Sequence, residues 1–311
     1  MLHIDRAHVE SLLSWPSLID ALGAMFRTGC EAPLRHAHVW PEGAERNSLL
    51  LMPAWQAGRY TGVKIVHVAP GHAPTVHAAY LLSDAATGAP LAFLDGGALT
   101  DRRTAAASVL AARHLARPDS RRLLLLGSGK VAHALASAYP AAFPIDDIAI
   151  WSRDGTRAAR LAARLRAEGH PARAAANPDP SEADIVSAAT LSRSPLVRGD
   201  KVRPGTHVDL VGAFRPDMRE SDAALLAGAT LVVDTRAGAL AEAGDLIQAM
   251  AEGAFGRDHI AAELAELLRG DHPGRRTAAE VTVFKSVGWA GEDLAAAILA
   301  YEGALAETAR E

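Results

Sequence analysis

The feature that most constrains the fold of this 311-residue chain is a glycine-rich turn between two apolar runs. Residues 123–126 are four consecutive leucines, a pattern typical of a strand buried on both faces of a parallel sheet. The sequence GSGKVA follows at residues 127–132, an alanine-rich segment extends to about residue 139, and a second apolar run occupies residues 148–151. Strand, glycine turn, helix and strand in this order predict a Rossmann-type βαβ unit.

The turn has the form G-x-G-x-x-A, which is typical of dinucleotide-binding proteins. Gly127 permits the tight turn, Gly129 lets the backbone approach a pyrophosphate, and Ala132 lets the helix pack close to the strand. An ordinary βα turn that needs small residues only for packing is the alternative, and the complete βαβ unit favours the dinucleotide. The predicted cofactor-binding residues of this turn are Gly127, Ser128, Gly129, Lys130, Val131 and Ala132.

The residues after the second strand predict which dinucleotide is bound. An NAD site usually has an acidic residue there that accepts hydrogen bonds from the ribose hydroxyls. In this chain Ser152 and Arg153 occupy that place, and together with Thr156 they offer hydroxyls and a guanidinium to a 2′-phosphate. If the strand ended two residues later, Asp154 could be the ribose acid. The sequence therefore predicts NADP(H) in preference to NAD(H).

The remaining apolar and helical patterns predict an α/β chain with two domains. After a hinge at residues 118–120, strands near 172–176, 184–190, 207–212, 230–234 and 281–284 are separated by helices at 157–168, 239–250 and 259–268. This alternation predicts a doubly wound parallel sheet over residues 119–288. Before the hinge we expect helices over 4–30, strands at 33–39, 48–52 and 60–68, a hairpin at 76–94 and a helix from about 100 to 115.

Composition excludes several classes of protein. The net charge of −4 and the pI near 6.4 provide no basic surface for nucleic acid or for a membrane. Cys30 is the single cysteine, which excludes an internal disulfide and a cysteine-based zinc site, and the histidines show no metal-ligand spacing. The charged N-terminus and the lack of a long apolar run predict a cytosolic protein without a membrane span.

Two cations stand in unusual places. Lys64 lies inside the apolar strand at 60–68, where an ammonium needs a partner to offset its desolvation, so it is a candidate site residue. Arg103 falls in the first turn of the helix predicted to begin near residue 100, where a cation opposes the helix dipole. That position indicates that Arg103 holds an anionic group. For both residues a solvated position on the surface is the alternative.

The chain resembles the ornithine cyclodeaminase/mu-crystallin family over nearly its full length. Eight motifs in the expected order support the resemblance, and together they are far more specific than the glycine turn alone. They are PLR at 33–35, LMPA at 51–54, GVKIV at 62–66, PTV at 74–76, SDAATGAPLAFLDGGALTDRRTAAASVLAA at 83–112, GSGKVA at 127–132, VGAFRPDMRE at 211–220 and VFKSVGWAGEDLAAA at 283–297.

The resemblance implies a homodimer, a nicotinamide cofactor, and a discontinuous first domain that forms the dimer and the substrate pocket. That domain would comprise residues 1–118 and 289–311. Arg35, Lys64 and Arg103 would grip a substrate carboxylate, for which two guanidinium forks and an ammonium are suited, and Met52 would line the pocket. The positions on the cofactor side, by resemblance or by their place at carboxyl ends of predicted strands, are Thr190, Val211, Gly212, Phe284, Lys285, Ser286, Val287 and Gly288.

One departure from the family pattern bears on the reaction. In ornithine cyclodeaminases an aspartate in the turn after the VG pair acts on the amino groups of the substrate, whereas this chain has Phe214 there. A phenyl ring neither accepts a proton nor binds an ammonium by charge, which argues against cyclodeamination. The form G-A-x-R-P-D is similar to the reductase and mu-crystallin branch, whose members reduce cyclic ketimines.

The predicted function is therefore NADPH-dependent reduction of small cyclic imino acids: Δ1-pyrroline-2-carboxylate to L-proline and Δ1-piperideine-2-carboxylate to L-pipecolate. Lys64, acting through water, or His77 could deliver a proton to the imine nitrogen. Three alternatives stay open: an alanine dehydrogenase-type or N-alkyl amino acid dehydrogenase, an ornithine cyclodeaminase, and a non-catalytic NADPH-dependent binding protein of mu-crystallin type.

Overall fold

The computed structural model describes residues 1–42, 45–70, 72 and 74–310, which divide into two compact units. Unit 1 comprises residues 1–104 and the chain from residue 289 onward, and unit 2 comprises residues 105–288. The first boundary falls inside the helix Gly96–Leu115, earlier in the chain than the predicted boundary between residues 118 and 119. Unit 1 is therefore built from two separate segments of the chain.

Unit 1 contains a six-stranded sheet with strand order β1-β6-β5-β4-β3-β2. Its strands are antiparallel to their neighbours except for β1, which pairs with β6 in parallel. The elements of this unit are β1 (Leu2–Ile4), α1 (Arg6–Leu12), α2 (Trp15–Thr28), β2 (His36–Glu42), β3 (Glu45–Gln56), β4 (Tyr60–Val68), β5 (Val76–Asp84), β6 (Pro90–Asp95), the first part of α3 (Gly96–Leu115) and the last helix of the chain, α10 (Ala290–Thr308).

The two faces of this sheet differ in burial. Alternate residues of β4 are buried, among them Lys64 and Val66, and this inner face packs against α10, which also packs against α2. The other face, which we call the outer face, carries a group of apolar side chains that are only half-covered within unit 1. Its side chains include Leu49, Leu51, Val63, Ile65, Leu81 and Phe93.

Unit 2 contains an eight-stranded parallel sheet with strand order β13-β12-β14-β11-β10-β7-β8-β9. The chain runs from β7 to β9 toward one edge and then returns to β10 on the other side of β7. Its elements are β7 (Arg122–Leu126), α4 (Lys130–Ala138), β8 (Asp147–Trp151), α5 (Gly155–Ala167), β9 (Ala172–Ala174), β10 (Ile185–Ala188), β11 (His207–Leu210), α6 (Ala223–Gly228), β12 (Thr230–Val233), α7 (Arg236–Glu242), α8 (Gly244–Ala251), β13 (Ile260–Glu263), α9 (Leu264–Arg269) and β14 (Thr282–Lys285).

The doubly wound parallel sheet and the accompanying α+β unit confirm the predicted fold class. In sheets of this kind ligands bind at the carboxyl ends of the strands, where the direction of winding reverses. In unit 2 that point lies between β7 and β10. The glycine turn at residues 127–129 follows β7, so the predicted cofactor residues of this turn lie at the switch point.

Several predicted elements differ from the structure. The helix predicted at 259–268 is wrong, because β13 occupies its first half as an edge strand and only Leu264–Arg269 is helical. The helix predicted at 239–250 is divided into α7 and α8. The first helix begins at Arg6 rather than at residue 4, because β1 ends at Ile4, and the Asp5 carboxylate caps it by accepting the N–H of His8 at 2.9 Å. In a short apolar segment, periodicity alone does not distinguish an edge strand from a helix.

Among the described residues, no helix combines the length and the apolar character that crossing a membrane requires.

Candidate active site

The inner face of the unit 1 sheet borders a buried cluster of two cations and two carboxylates. The Lys64 Nζ atom donates to Asp293 Oδ2 at 2.7 Å, and the Arg103 Nε atom donates to Asp293 Oδ1 at 3.0 Å. A third bond joins Arg103 Nη1 to Glu292 Oε2 at 2.6 Å. Relative exposures are 2% for Lys64, 6% for Arg103 and 0% for Asp293. The sequence predicted that both cations hold anionic groups, and in the structure their partners are carboxylates of the chain itself.

Three elements bring these four side chains together. Lys64 projects from the inner face of β4, Arg103 from the first half of α3, and Glu292 and Asp293 from the first turn of α10. Acidic residues are favourable in a first turn because they complement the positive end of the helix dipole. The Trp289 N–H also donates to Glu292 Oε1 at 3.4 Å, so this carboxylate both caps α10 and binds Arg103.

Arg103 does not lie in the first turn of its helix, contrary to the prediction from the sequence. Helix α3 begins at Gly96, and the Asp95 carboxylate caps it by accepting the N–H of Ala98 at 2.6 Å. Arg103 therefore lies in the third turn, where the dipole of the helix N-terminus has little effect. It holds anions because Asp293 and Glu292 approach it from α10, a long-range contact that no local pattern reveals.

Burial and charge shift the acidities of the cluster. Burial lowers the pKa of Lys64 from 10.5 to about 8; Asp293 opposes this shift, and the neighbouring charges of Arg103 and Arg35 add to it. Burial would raise the pKa of Asp293, but Arg103 and Lys64 hold it below its ordinary value. Burial also acts to lower the pKa of Arg103, yet the two carboxylates hold it above its ordinary value. Lys64 is thus the member of the cluster poised to exchange a proton near neutral pH.

Arg35 and Met52, which were also predicted to bind the substrate, both lie beside Lys64. Arg35 is half-buried, and its charge contributes to the pKa of Lys64, so it lies close to the ammonium. Met52 is buried in β3 and directly opposite Lys64 in register. Tyr80 lies opposite Lys64 on the other side, in β5, and its buried hydroxyl has no hydrogen-bond partner among the described residues.

His77 is not brought to the cluster. In β5 it pairs with His67 of β4, and it lies three residues from Tyr80, which is the residue opposite Lys64. Because successive side chains of a strand alternate between the faces, His77 projects from the outer face and Lys64 from the inner face. His77 is also exposed. The geometry therefore does not support His77 as the proton donor.

Unit 2 presents the glycine turn in a form that fits a pyrophosphate. Gly127 has φ +124°, and a Cβ atom there would lie 2.5 Å from the Ala189 carbonyl oxygen. Gly129 precedes α4 without a side-chain cap, and a Cβ atom at this position would meet nothing within 4 Å of the described atoms. Open space beside uncapped N–H groups at a helix start suits an anion. Ala132 is buried, Ser128 and Val131 are half-buried, and Lys130 is exposed.

A capped helix start follows β8. The strand ends at Trp151, and the Asp154 carboxylate caps α5 by accepting the N–H of Thr156 at 3.0 Å. Asp154 is therefore engaged as a helix cap, and the strand does not extend to it. Ser152 donates to the Asp154 carbonyl oxygen at 2.6 Å, while Arg153 and Thr156 are exposed.

The remaining predicted cofactor residues lie at the carboxyl ends of β10, β11 and β14. Thr190 and Val211 are half-buried, whereas Gly212 and Ser286 are buried. The side chains of Phe284 and Lys285 are fully buried, and Lys285 Nζ donates to the Gly212 carbonyl oxygen and lies 3.1 Å from Asp245 Oδ2. The N–H groups of Val287 and Gly288 donate to Asp234 Oδ2 at 2.8 and 2.7 Å.

Sequence reasoning missed four buried carboxylates that matter here: Glu292 and Asp293 in unit 1, and Glu220 and Asp245 in unit 2. Glu220, Glu292 and Asp293 stand inside motifs of the family, but Glu292 and Asp293 begin a helix, where acidic residues are expected without any functional role. Among the described residues, no group of three histidine, cysteine, aspartate or glutamate side chains is arranged to hold a metal ion.

Comparison with known proteins extends this description. A profile of the ornithine cyclodeaminase/mu-crystallin family matches residues 4–308. Δ1-Pyrroline-2-carboxylate reductase of Paracoccus denitrificans is 41% identical over 293 residues, which cover 88% of this chain and 92% of that protein.

Two solved structures share the whole fold. Δ1-Pyrroline-2-carboxylate reductase of Thermococcus litoralis, in complex with NADH and L-proline, has a TM-score of 0.93 and 34% identity and covers 99% of this chain and 98% of its own. An archaeal alanine dehydrogenase dimer with bound NAD has a TM-score of 0.92 and 30% identity, with coverages of 99% and 97%.

Proposed function

This chain belongs to the ornithine cyclodeaminase/mu-crystallin family, and we propose that it is an NADPH-dependent reductase of cyclic ketimine acids. Its substrates would be Δ1-pyrroline-2-carboxylate, reduced to L-proline, and Δ1-piperideine-2-carboxylate, reduced to L-pipecolate. The observation that carries the proposal is the buried cluster of Lys64, Arg103 and Asp293, which can bind a small carboxylate and supply a proton beside it. The reductase similar to this chain over 88% of its length supports the same reaction.

The cations of unit 1 would bind the substrate carboxylate. The ammonium of Lys64 has three N–H donors, of which the bond to Asp293 takes one, and Arg35 lies nearby with a planar guanidinium. Asp293 fixes Lys64 and Arg103 in place before a ligand arrives, so less side-chain freedom is lost on binding. A carboxylate held in this way would position the adjacent C=N carbon, and positioning of this kind supplies a large part of a rate acceleration.

Lys64 would also deliver the proton that the reaction requires. Reduction of a C=N bond adds a hydride to carbon and a proton to nitrogen. Because the pKa of Lys64 is lowered to about 8, its ammonium donates a proton more readily than an ordinary lysine while remaining mostly protonated at pH 7. After donation, Asp293 would stabilise the protonated form again, and Lys64 could regain a proton from water.

Unit 2 would hold the nicotinamide cofactor, which supplies the hydride when bound. The residues that fit it are Gly127 and Gly129 beside the uncapped start of α4, which would receive the pyrophosphate. Arg153 and Thr156 favour NADPH over NADH, whereas the Ser152 hydroxyl already donates to the Asp154 carbonyl oxygen. The use of Asp154 as a helix cap supports the preference for NADPH. The similar structures are described with NAD or NADH, so the preference for NADPH rests on residues of this chain.

We also propose that the protein is a homodimer. The outer face of the unit 1 sheet carries a group of half-covered apolar side chains, and Phe93 among them is 36% exposed. An apolar patch of this kind is typical of a protein interface, and a second copy of the chain would cover it. The alanine dehydrogenase with the same fold is a dimer. The cytosolic location stays a prediction based on the charged N-terminus and the lack of a long apolar run.

The experiment that tests the proposed function is a spectrophotometric assay. Purified protein is mixed with NADPH, and in parallel with NADH, together with either cyclic imino acid, and the loss of reduced nicotinamide is followed by its absorbance. We expect a rapid loss that is faster with NADPH. No loss with either cofactor, from protein shown to bind it, would contradict the proposal.

A second candidate reaction is reductive amination of the alanine dehydrogenase type. The fold similarity to the archaeal alanine dehydrogenase favours it, because a 2-oxo acid offers the same carboxylate to Lys64 and Arg103. Turnover of pyruvate with ammonia or methylamine, exceeding that of the cyclic imino acids, would identify this alternative.

A further inference from the structure

Two turns on the cofactor side of unit 2 are joined by one buried carboxyl group. Glu220 Oε1 accepts the N–H of Thr190 at 2.6 Å and the hydroxyl of Thr190 at 2.7 Å. Thr190 follows β10, and its methyl carbon would lie 3.7 Å from a Cβ atom at Gly127, so it borders the glycine turn. Glu220 itself is 0% exposed. The carboxyl group thus fixes both the backbone and the hydroxyl of a residue next to the proposed pyrophosphate site.

The second turn, which follows β11, packs directly on the same carboxyl group. A Cβ atom at Gly212 would lie 2.4 Å from Glu220 Oε1 and 2.2 Å from the Thr190 carbonyl oxygen, so only glycine fits there. The next residue, Ala213, has φ +50°, a conformation that costs free energy for a residue with a side chain. The Gly244 N–H donates to the Ala213 carbonyl oxygen at 2.9 Å and helps to hold this turn.

Glu220 has buried charged neighbours. Asp245 Oδ1 accepts the N–H groups of Glu220 and Ser221 at 2.7 and 2.9 Å, and Asp245 Oδ2 lies 3.1 Å from Lys285 Nζ. Lys285 also donates to the Gly212 carbonyl oxygen. Burial raises the pKa of Glu220; Lys285 opposes the shift, and Asp245 adds to it.

Burying charges of this kind costs free energy, and apolar residues of similar volume often stabilise a fold as well or better. The cluster is therefore better explained by what it positions than by what it contributes to stability.

We propose that Glu220 is a positioning residue for the nicotinamide cofactor, acting through Thr190. Because the Thr190 hydroxyl donates its hydrogen to Glu220 and accepts the N–H of Ser192 at 3.2 Å, its remaining lone pair can only accept a hydrogen bond. Thr190 would thus select an N–H or O–H donor of the cofactor, such as a carboxamide or a ribose hydroxyl. This inference rests on the proposed nicotinamide site but not on the identity of the substrate.

The test compares Glu220→Ala, Glu220→Gln, Thr190→Val and the Ala/Val double variant. Cofactor affinity is measured directly by the fluorescence of bound NADPH, together with the melting temperature and the separate KM values for cofactor and imino acid. Loss of one hydrogen bond between Thr190 and the cofactor predicts a Kd for NADPH roughly tenfold above wild type in Glu220→Ala and in Thr190→Val. Glu220→Gln keeps an acceptor oxygen and should restore the affinity to within about threefold.

The remaining readouts separate positioning from general structural damage. In a positioning role the KM for NADPH rises while the KM for the imino acid stays unchanged, and the double variant is no worse than either single variant because both remove one interaction. The proposal is overturned if folded Thr190→Val binds NADPH as wild type does, or if the effects of the two residues add.

Failure of the proposed reaction is recognised separately. If the wild-type protein binds NADPH but reduces no imino acid, the proposed substrate is wrong, and the Kd comparison still tests the role of Glu220. A wild-type protein that binds neither NADPH nor NADH overturns both.

Discussion

The ammonium of Lys64 lies 2.7 Å from the carboxylate of Asp293, although 229 residues separate them in the chain. Both side chains are buried, and Arg103 binds the other oxygen of the same carboxylate at 3.0 Å. One aspartate of the last helix therefore orients two cations on different elements. This arrangement makes Lys64 the residue whose replacement is most informative about the chemistry of unit 1.

Replacement of Lys64 by alanine is expected to abolish most turnover and to leave NADPH binding intact, because Lys64 belongs to unit 1 and the glycine turn to unit 2. The expected fall in kcat/KM is about 10²- to 10⁴-fold, the usual contribution of a general acid. Lys201→Ala, which removes an exposed lysine, is the matched control and should behave as wild type. Full activity in Lys64→Ala would remove Lys64 from the mechanism.

The pH dependence of turnover provides a second test of Lys64. Its pKa is lowered to about 8, and the protonated form is the one that binds the carboxylate and donates the proton. We therefore expect kcat/KM to be highest below pH 8 and to fall about tenfold per pH unit above it. In Lys64→Arg the guanidinium keeps its charge, so KM should be largely restored while kcat stays low. Restoration of both would show that Lys64 binds the substrate but gives no proton.

Substitution of Gly129 by alanine should separate cofactor binding from folding. A Cβ atom at Gly129 meets nothing within 4 Å in the described structure, so the melting temperature should stay within a few degrees of wild type. The same methyl group would occupy the space proposed for the pyrophosphate, and the Kd for NADPH should rise at least about tenfold. Gly256→Ala, at another position with open space, is the control for both measurements. An unchanged Kd in Gly129→Ala would place the phosphates elsewhere.

Arg153→Ala addresses the choice of cofactor. If Arg153 binds the 2′-phosphate, its loss should raise the KM for NADPH roughly 10- to 100-fold and leave the KM for NADH unchanged, since NADH lacks that group. Arg160→Ala removes another exposed arginine from the neighbouring helix α5 and should change neither value. Equal effects on the two cofactors would argue against a 2′-phosphate site at Arg153.

The oligomeric state can be tested on the outer face of the unit 1 sheet. Val63 is half-covered there and pairs with Leu81, which in turn pairs with Phe93. Val63→Glu should convert a dimer to a monomer in sedimentation velocity, because a carboxylate is costly at an apolar interface. Leu305→Glu changes an exposed leucine of α10 and should stay dimeric. A monomeric wild-type protein would contradict the proposed homodimer.

The fold of unit 2 was largely determined by local sequence. The Leu123–Leu126 run, the glycine turn and the run at 148–151 each appear where the structure has β7, the turn before α4, and β8. Local patterns suffice there because a buried parallel strand needs a continuous apolar run, and a tight turn with φ +124° needs glycine. They failed at β13, where a four-residue edge strand lies in a segment that also suits a helix.

The candidate site was predictable only in part. The sequence by itself indicated that Lys64 needs a partner, since a charge inside an apolar strand is costly to bury, and it predicted for a different reason that Arg103 holds an anionic group. Only the tertiary structure decided that the partners are Asp293 and Glu292, that His77 lies on the opposite face from Lys64, and that Glu220 joins Thr190 to the Gly212 turn. Each of these relationships depends on residues far apart in the chain, whose meeting is fixed by strand register and helix packing rather than by local pattern.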